Sequence, residues 1–476
     1  MNKYILILLL TCFISCQDQK EEPAKPNILF LFTDDQSFKA LHALGNKEII
    51  TPAMDRLVNE GTTFTHAYNM GGWNGAVCVA SRAMLISGQS IWNAQKISAN
   101  YSKNDDLDKT WPRLMQTKGY DTYITGKWHV EAKPDSVFNH IGHVLRGMPF
   151  DTPEGYNRPQ NENDTLWKPW KKEFGGYWKG GKHWSELVKD DAVAFIDSAA
   201  QKQQPFFMYV AFNAPHDPRQ SPKKYVDMYA LDSIAIPESF MPEHPYAETM
   251  GADQNLRDEK LAPFPRTEYA VKVNRQEYYA ITTHLDHQIR DILNALEQRG
   301  LKDNTYIFFT SDHGLAVGEH GLMGKQSMYD HSIRVPLIVV GPDIPKGNKV
   351  NTDVYLQDIM ASALELAGVE KPDYITFNSF LDLAKGKTDQ GNYNAIYGTY
   401  EKRSQRMIRK GNYKLIVYPR TQQALLYNLE KDPLELNNLA SIKENANTLK
   451  ALFKDLLAMQ REMGDPLDLT KMYDKL

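Results

Sequence analysis

The clearest indication of the fold comes from residues Asn27–Gln36, which have the sequence NILFLFTDDQ. It opens with an unbroken run of aromatic and aliphatic residues, which predicts a strand buried on both faces, as in a parallel sheet. The run ends in Thr33 and two carboxylates, Asp34 and Asp35. Polar residues at the carboxyl end of such a strand lie where open α/β sheets bind ligands. A solvated turn is the alternative for these two acids.

Three further predicted strands end in residues of catalytic type. They are 120–125, followed by Lys127 and His129; 205–212, followed by His216; and 305–310, followed by Asp312 and His313. Helical patterns separate them, and another apolar strand is predicted at 335–340. This alternation predicts an α/β fold with a large, mostly parallel sheet flanked by helices.

The pattern changes after a helix predicted at 358–368. Residues 407–418 predict a hairpin that turns at Gly411-Asn412, and 446–463 predict a closing helix. We therefore expect a main domain at 27–370 and a smaller C-terminal α+β subdomain with an antiparallel sheet at 371–476. The length of 476 residues suits this division.

The segment Gly71–Gly88 carries Cys78, with Arg82 four residues later. The residues from Arg82 onward predict a helix, so a sulfur would lie at the helix start with a guanidinium one turn along to hold an anion. A buried free cysteine is the alternative.

The N-terminus predicts export. Residues 1–16 resemble a lipoprotein signal peptide in which Cys16 is lipidated, and 17–26 form a polar tether. A plain signal peptide is the alternative. We expect anchoring to the cell envelope, at the outer membrane or cell surface, with the periplasm as second choice. Cys78 would then be the one cysteine of the mature chain, because the sequence has only three. The net charge of −4 gives no reason to expect nucleic acid as a partner.

The segment 139–182 reads as irregular and is rich in Trp and Lys. Its tryptophans either stack on sugars or are buried to hold the loop in place. By composition alone, candidates for substrate contacts are His140, His143, His183, Arg158 and Arg219, with an ordinary surface position as the alternative for each.

Taken together, these motifs resemble the type I, formylglycine-dependent sulfatases of the alkaline-phosphatase superfamily. The matching stretches are NILFLFTDDQ, CVASRAMLISG, GYDTYITGKWH, APHDP, NTYIFFTSDHGLAVGEHGLMGK, SIRVPLIV and LYNLEKDPLELNNLA. The resemblance spans essentially residues 27–463 and implies the alkaline-phosphatase-like fold.

The resemblance implies a set of roles. Cys78 would be oxidised by a formylglycine-generating maturase, and the hydrated aldehyde, a geminal diol, would attack sulfur. The implied ligands of one divalent cation, usually Ca²⁺, are Asp34, Asp35, Asp312, His313 and the modified Cys78. Arg82 would help ionise the nucleophile, and Lys127 and Lys325 would offset the sulfate charge. His216, helped by Lys325, would protonate the leaving alcohol, and His129 would take the proton that expels sulfate.

Two positions depart from the usual pattern. Asparagine often occupies the place of His313, whose nitrogen makes a softer site. Proline usually occupies the place of Ala80, although alanine is an accepted variant for some maturases. The implied activity is hydrolysis of sulfate from a poly- or oligosaccharide, such as ulvan or carrageenan, with glycosaminoglycans as rivals. A phosphodiesterase or phosphonate monoester hydrolase, and a non-catalytic glycan-binding lipoprotein, are the alternative functions.

Overall fold

The central strand of the protein is β1 (Asn27–Asp34), and all of its residues are buried. In the computed structural model, which describes residues 25–149 and 152–474, its side chains alternate between two cores. Phe30 and Phe32 join one apolar cluster, and Leu29 and Leu31 join the other. Burial on both faces is therefore confirmed. The predicted signal peptide and most of the tether fall outside the described residues.

The remaining elements follow in chain order. The other strands are β2 (Thr62–Tyr68), β3 (Gly71–Gly72), β4 (Asp121–Lys127), β5 (His140–Leu145), β6 (Phe206–Pro215), β7 (Thr305–Ser311), β8 (Arg334–Val340), β9 (Asn348–Val350), β10 (Val354–Tyr355), β11 (Ile396–Tyr400), β12 (Gln405–Lys410), β13 (Tyr413–Tyr418) and β14 (Gln423–Asn428). The α-helices are α1 (Pro52–Glu60), α2 (Val77–Ser87), α3 (Ile91–Tyr101), α4 (Trp111–Gln116), α5 (Trp184–Ala199), α6 (Lys223–Val226), α7 (Ala247–Met250), α8 (Glu268–Gln298), α9 (Asp330–Ile333), α10 (Asp358–Leu366), α11 (Leu381–Ala384), α12 (Ala446–Met463) and α13 (Thr470–Tyr473).

The large sheet has the strand order β10-β2-β8-β7-β1-β6-β4-β5, with β9 beside β2. The strands from β7 to β5 run parallel to one another. Strand β8 is antiparallel to both of its neighbours, β7 and β2. The mostly parallel sheet is thus confirmed, with the strand predicted at 335–340 as its antiparallel member.

The second sheet has the order β14-β13-β12-β11-β3. Strands β11 to β14 are antiparallel, and the turn between β12 and β13 is at Gly411-Asn412, as predicted. Phe453 and Leu456 of α12 belong to the apolar cluster beneath it. Strand β3 reaches this sheet from the chain just before Cys78 and pairs in parallel with β11. The separate antiparallel C-terminal sheet is confirmed, and the exact domain boundaries stay a prediction.

Some helices and strands of the structure were not predicted from the sequence. Helix α8 begins at Glu268, where the Thr267 hydroxyl accepts a hydrogen bond from the amide of Ala270 at 3.1 Å and caps the helix. Strand β5 lies in the segment that was expected to be irregular and pairs with β4. Among residues 25–149 and 152–474, no helix is both long and apolar enough to cross a bilayer.

Candidate active site

Four adjacent parallel strands bring the sequence-predicted residues to one edge of the large sheet. The strands lie in the order β7-β1-β6-β4, so their carboxyl ends meet. Asp34 ends β1 and is followed by Asp35; Asp312 and His313 follow β7; His216 follows β6; and Lys127 ends β4, two residues before His129. The polar residues at the ends of the predicted strands are therefore gathered at one edge of the sheet.

Cys78 lies in the first turn of α2. This helix begins at Val77 rather than near Arg82, so the predicted helix start was too late. The Ser81 hydroxyl donates to the carbonyl of Asp312 at 2.8 Å, which ties α2 to the end of β7. Burial, and then the charges of Asp312 and Asp34, raise the pKa of the Cys78 thiol. An unmodified thiol is therefore a poor nucleophile in this position, since the thiolate is the reactive form.

Three carboxylates converge on the Cys78 sulfur. One ligand atom from each of Asp34, Asp35, Asp312 and Cys78 lies within 4.8 Å of all the others. The sulfur is 3.3 Å from Oδ1 of Asp34 and 3.8 Å from Oδ1 of Asp35. Burial and the neighbouring Asp312 raise the pKa of Asp34 to about 6, as expected where acids crowd together. Such an oxygen-rich donor set fits a hard divalent cation.

His313 is not brought into this group. Its ring nitrogens are absent from the ligand atoms that cluster around Asp34, and its Nδ1 lies 3.2 Å from the carbonyl oxygen of Gly314. Burial lowers the pKa of His313 to about 4, so the ring is neutral near pH 7. Its assignment as a metal ligand stays a prediction.

Three buried cations each contact one of the carboxylates. The ammonium of Lys127 donates to Asp34. The ammonium of Lys325 donates to both oxygens of Asp35 at 2.7 Å and lies 3.2 Å from the Cys78 sulfur.

Arg82 supplies the third cation. Its Nε donates to Oδ2 of Asp312 at 3.1 Å, and Nη1 donates to the carbonyl of Lys127 at 2.8 Å. Arg82 and Lys127 are 0% exposed and Lys325 is 2% exposed, so water screens these charges weakly. The three cations balance the charge of the three carboxylates and place N–H donors beside the sulfur, where an anionic group could accept from them.

The two candidate proton-transfer histidines have opposite electrostatic surroundings. Burial, then the cations Lys127 and Arg82, lower the pKa of His129 to about 3. Burial and Lys325 oppose protonation of His216, but the carboxylates of Asp217 and Asp35 outweigh them and its pKa is raised. Near pH 7 this favours a neutral His129 that can accept a proton and a His216 that can donate one.

A cleft of about 410 Å³ opens onto these groups. Cys78, Lys127, His129, His216 and Lys325 all line it. Its outer wall is formed by residues that the sequence did not single out, among which are Arg146, Met148, Arg257, Asp258 and Gln326. The cleft is of a size that admits a small anionic ester with part of its leaving group.

Several residues that support the site were missed by sequence reasoning. The side chain of Asn69 donates to the carbonyl of Asp312 at 2.7 Å, and the Tyr278 hydroxyl donates to the carbonyl of Asp35 at 2.9 Å. Asp217 contacts the imidazole of His216. Only Asp217 had a local signal, because it lies in the motif APHDP next to His216.

The residues proposed by composition for substrate contacts lie elsewhere, since none of them lines the cleft. Arg158 is buried against Glu277, and Arg219 is buried with its guanidinium on Asn274. His183 is buried too, 3.0 Å from the carbonyl of Gln220, so the surface alternative is wrong for these three. His140 and His143 are more exposed and pair with Asp121 and Asp191.

The tryptophans of the 139–182 segment and the start of α5 are mostly buried. Trp167, Trp178 and Trp184 are each about 5–6% exposed, and Trp170 is partly exposed. These three side chains therefore fit the prediction that the tryptophans are buried and hold the loop against the domain.

Comparison with known families identifies the chain. Residues 26–369, more than two thirds of its length, match the family described as Sulfatase. The chain belongs to the sulfatase family. Residues 318–462 of this sulfatase also match the description N-sulphoglucosamine sulphohydrolase, C-terminal. The predicted family is confirmed, and the protein is a sulfuric ester hydrolase.

Curated relatives align along almost the whole sulfatase. It is 28% identical to an ulvan-active sulfatase of Formosa agariphila, over 97% of this chain and 87% of the relative. It is 28% identical to an N-acetylglucosamine-6-O-sulfatase of Bacteroides thetaiotaomicron, over 97% of this chain and 91% of the relative. A structure solved with its substrate D-glucosamine-2-N,6-O-disulfate superposes with a TM-score of 0.72 at 23% identity, over 93% of this chain and 99% of that one. This last likeness establishes the fold alone.

Proposed function

We propose that this sulfatase removes sulfate from a sulfated poly- or oligosaccharide. The observation that carries the proposal is the convergence of three buried cations and three carboxylates on Cys78 at the floor of an open cleft. With a divalent cation held by the carboxylates, the three protein cations would leave the site positive and favour a sulfate group, and the wall of the cleft leaves room for part of a sugar. The two relatives, one active on ulvan and one named for N-acetylglucosamine, favour a glycan as the leaving group.

The nucleophile in this proposal is derived from Cys78. Oxidation to formylglycine replaces the thiol with an aldehyde, and the hydrated aldehyde supplies the hydroxyl that attacks sulfur. The raised pKa of the unmodified thiol supports this role, because the thiol itself would stay protonated near pH 7. Cys78 and Ala80 are buried in the folded chain, so the maturase has to act before folding is complete. The proposal requires that it accepts Ala80 in the place of proline.

The carboxylates Asp34, Asp35 and Asp312 would hold one divalent cation, with Ca²⁺ as the preferred ion for an oxygen-rich set. Modified Cys78 would complete the donors together with His313. When bound, the cation supplies charge stabilisation at the attacking and sulfate oxygens.

The charged side chains of the chain divide the remaining work. Arg82, fixed by Asp312 and the Lys127 carbonyl, stabilises the ionised nucleophile. Lys127 and Lys325 offset the charge of the sulfate oxygens, and these preorganised cations favour the transition state. His216 donates a proton to the leaving alcohol with help from Lys325. His129 accepts the proton whose removal releases sulfate.

The location of the enzyme is a further part of this proposal. Cys16 would carry the lipid that anchors the mature chain to the cell envelope, with residues 17–26 as the tether. Labelling with a fatty-acid analogue tests this: label should appear in the full chain and disappear in Cys16→Ser, and label that persists in the variant would contradict it.

The function is tested with enzyme produced together with a formylglycine-generating maturase. Sulfate release is measured from sulfated ulvan oligosaccharides and from N-acetylglucosamine 6-sulfate, and a phosphonate monoester is assayed in parallel. We expect sulfate release that Cys78→Ala abolishes. Faster turnover of the phosphonate would favour the phosphonate monoester hydrolase alternative. Binding of the sulfated sugars without turnover by the fully converted enzyme would favour a glycan-binding protein.

A further inference from the structure

The imidazole of His216 is held by a carboxylate that the assigned roles leave unused. Its Nδ1 lies 3.0 Å from Oδ1 of Asp217 and 2.9 Å from the carbonyl oxygen of the same residue. Both partners only accept hydrogen bonds, so Nδ1 carries the hydrogen. Nε2 lies 3.6 Å from Oδ2 of Asp35, in the direction of the nucleophile. The orientation of the ring is thereby defined.

Asp217 is itself fixed from the other side. It is 3% exposed, and its Oδ2 accepts hydrogen bonds from Nη1 of Arg257 at 2.6 Å and from the Tyr156 hydroxyl at 3.0 Å. Each carboxylate oxygen therefore has a defined partner. A buried carboxylate with partners on both oxygens has little freedom to rotate, which restricts the ring of His216 in turn.

Arg257 connects this pair to the wall of the cleft. Its second terminal nitrogen donates to Asp258. The other oxygen of Asp258 accepts a hydrogen bond from Gln326 at 2.6 Å, and the same amide lies 3.1 Å from the carbonyl of Gly75, three residues before Cys78. Arg257, Asp258 and Gln326 all line the cleft. A continuous network thus runs from His216 along the wall to the loop that precedes α2.

We propose that Asp217 is a positioning residue that fixes the orientation and tautomer of His216, and that Arg257 holds Asp217 in place from the wall of the cleft. This inference rests on the proposed function, in which His216 is the general acid. As the ester S–O bond breaks, the proton on Nε2 passes to the departing sugar oxygen. Nδ1 keeps its hydrogen bonded to Asp217, which stays ionised, and Nε2 regains a proton from water.

The test compares Asp217→Asn with Asp191→Asn in the mature enzyme. Asp191 also pairs with a histidine, His143, at 2.8 Å, but this pair lies outside the cleft and makes a matched control. With ulvan oligosaccharides and N-acetylglucosamine 6-sulfate as probes, kcat of Asp217→Asn should fall by about 10- to 100-fold, because positioning supplies part of the benefit of general acid catalysis. KM should change little, and Asp191→Asn should match the unchanged enzyme.

Nuclear magnetic resonance of protein labelled with ¹⁵N-histidine gives a readout that does not need turnover. The Nδ1 hydrogen of His216 should resonate far downfield while it is bonded to the Asp217 carboxylate. The signal should move upfield in Asp217→Asn and stay in place in Asp191→Asn. A signal that is the same in Asp217→Asn, or kcat on both sugars that matches the unchanged enzyme, would overturn the inference.

Arg257 provides a second variant if Asp217→Asn folds poorly. Arg257→Met should reproduce the loss of kcat and the upfield shift, and Arg257→Lys should restore part of both because an ammonium can still reach Asp217. Equal effects of Met and Lys would contradict the role of Arg257. If the unchanged enzyme releases no sulfate although its His216 signal lies far downfield, the proposed function fails rather than the positioning contact.

Discussion

Replacing Gly126 with alanine should disable the enzyme through the backbone of β4. Gly126 has a φ of 90° and comes directly before Lys127. A Cβ at this position would lie 1.7 Å from the carbonyl oxygen of Ala211 on the neighbouring strand β6, and real Cβ atoms essentially never come closer than 3.0 Å to another heavy atom. The two strands would therefore have to separate locally by about 1.3 Å.

A displacement of this size directly affects groups to which the proposed function assigns catalytic roles. The carbonyl of Lys127 accepts a hydrogen bond from Arg82, and its ammonium contacts Asp34. Misplacing catalytic groups by about 1 Å can cost on the order of 100-fold in rate, so we expect a loss of kcat of that order in Gly126→Ala. The left-handed backbone adds about 1–3 kcal/mol of destabilisation for a residue with a side chain.

Gly119→Ala is the matched control. Gly119 has a φ of 82°, but no heavy atom lies within 4 Å of where its Cβ would be, so this variant shares the backbone strain without the collision. Both variants are compared by urea unfolding and by the rate of sulfate release. Gly119→Ala should keep its kcat and lose only the stability due to backbone strain. Equal rates and equal stabilities in the two variants would refute the argument that contact between β4 and β6 fixes Lys127.

Three further predictions concern the metal, the buried acids and the C-terminal sheet. Chelation with EDTA should stop sulfate release and lower the midpoint of urea unfolding. Adding Ca²⁺ at a hundred times its Kd should restore activity and raise the free energy of unfolding by about 2.7 kcal/mol. An unchanged midpoint and an unchanged rate would contradict a bound cation. Burial raises the pKa of Asp286 to about 7, above its value near 4 in an unfolded chain, so its contribution to stability is complete below about pH 4 and is lost as the pH rises toward 7. Asp286→Asn should remove that part of the pH dependence in urea unfolding, and an identical profile would contradict it. Arg406 and Asp465 form a fully buried ion pair between β12 and the residues after α12. Because Arg406→Met would leave the Asp465 carboxylate buried without its partner, it should lower the free energy of unfolding in urea by about 3–5 kcal/mol. A decrease below about 1 kcal/mol would contradict a structural role for this pair.

The parts of the fold that the sequence predicted are those set by local pattern. The apolar run of β1 and the carboxylates after it needed only neighbouring residues, because period and burial define a strand of a parallel sheet. The hairpin at Gly411-Asn412 was also local. The direction of β8 was not predictable in this way, since an apolar run reads the same whether its partner strand is parallel or antiparallel.

The candidate site likewise combines residues that local sequence patterns predict with contacts that they do not. Asp34, Asp312, His216 and Lys127 could be placed together because each lies at or just after the carboxyl end of a buried strand, and such ends meet at one edge. The contact of Asp217 with Arg257 joins residues 40 positions apart and follows from how the segment after β6 folds back, which no local pattern encodes. The pairing of β3 with β11 is non-local in the same sense, since it joins Gly71 to Thr399.

The ring position of His313 depends on side-chain rotation rather than on sequence. The motif places it directly after Asp312, yet its Nδ1 lies 3.2 Å from the carbonyl oxygen of Gly314, and neither ring nitrogen joins the group of ligand atoms around Asp34 and Cys78. Backbone position therefore decides which residues can reach the site, and rotamers decide which of them contact it.

The role of Cys78 as precursor of the nucleophile is tested by the mass of the peptide that contains it, taken from chain produced together with a formylglycine-generating maturase. Conversion replaces the thiol with an aldehyde and lowers the mass of the peptide. We predict that this lower mass is present, that the converted fraction rises in proportion to the rate of sulfate release, and that Cys78→Ala shows neither. Sulfate release by chain in which Cys78 remains entirely a thiol would contradict a nucleophile derived from formylglycine.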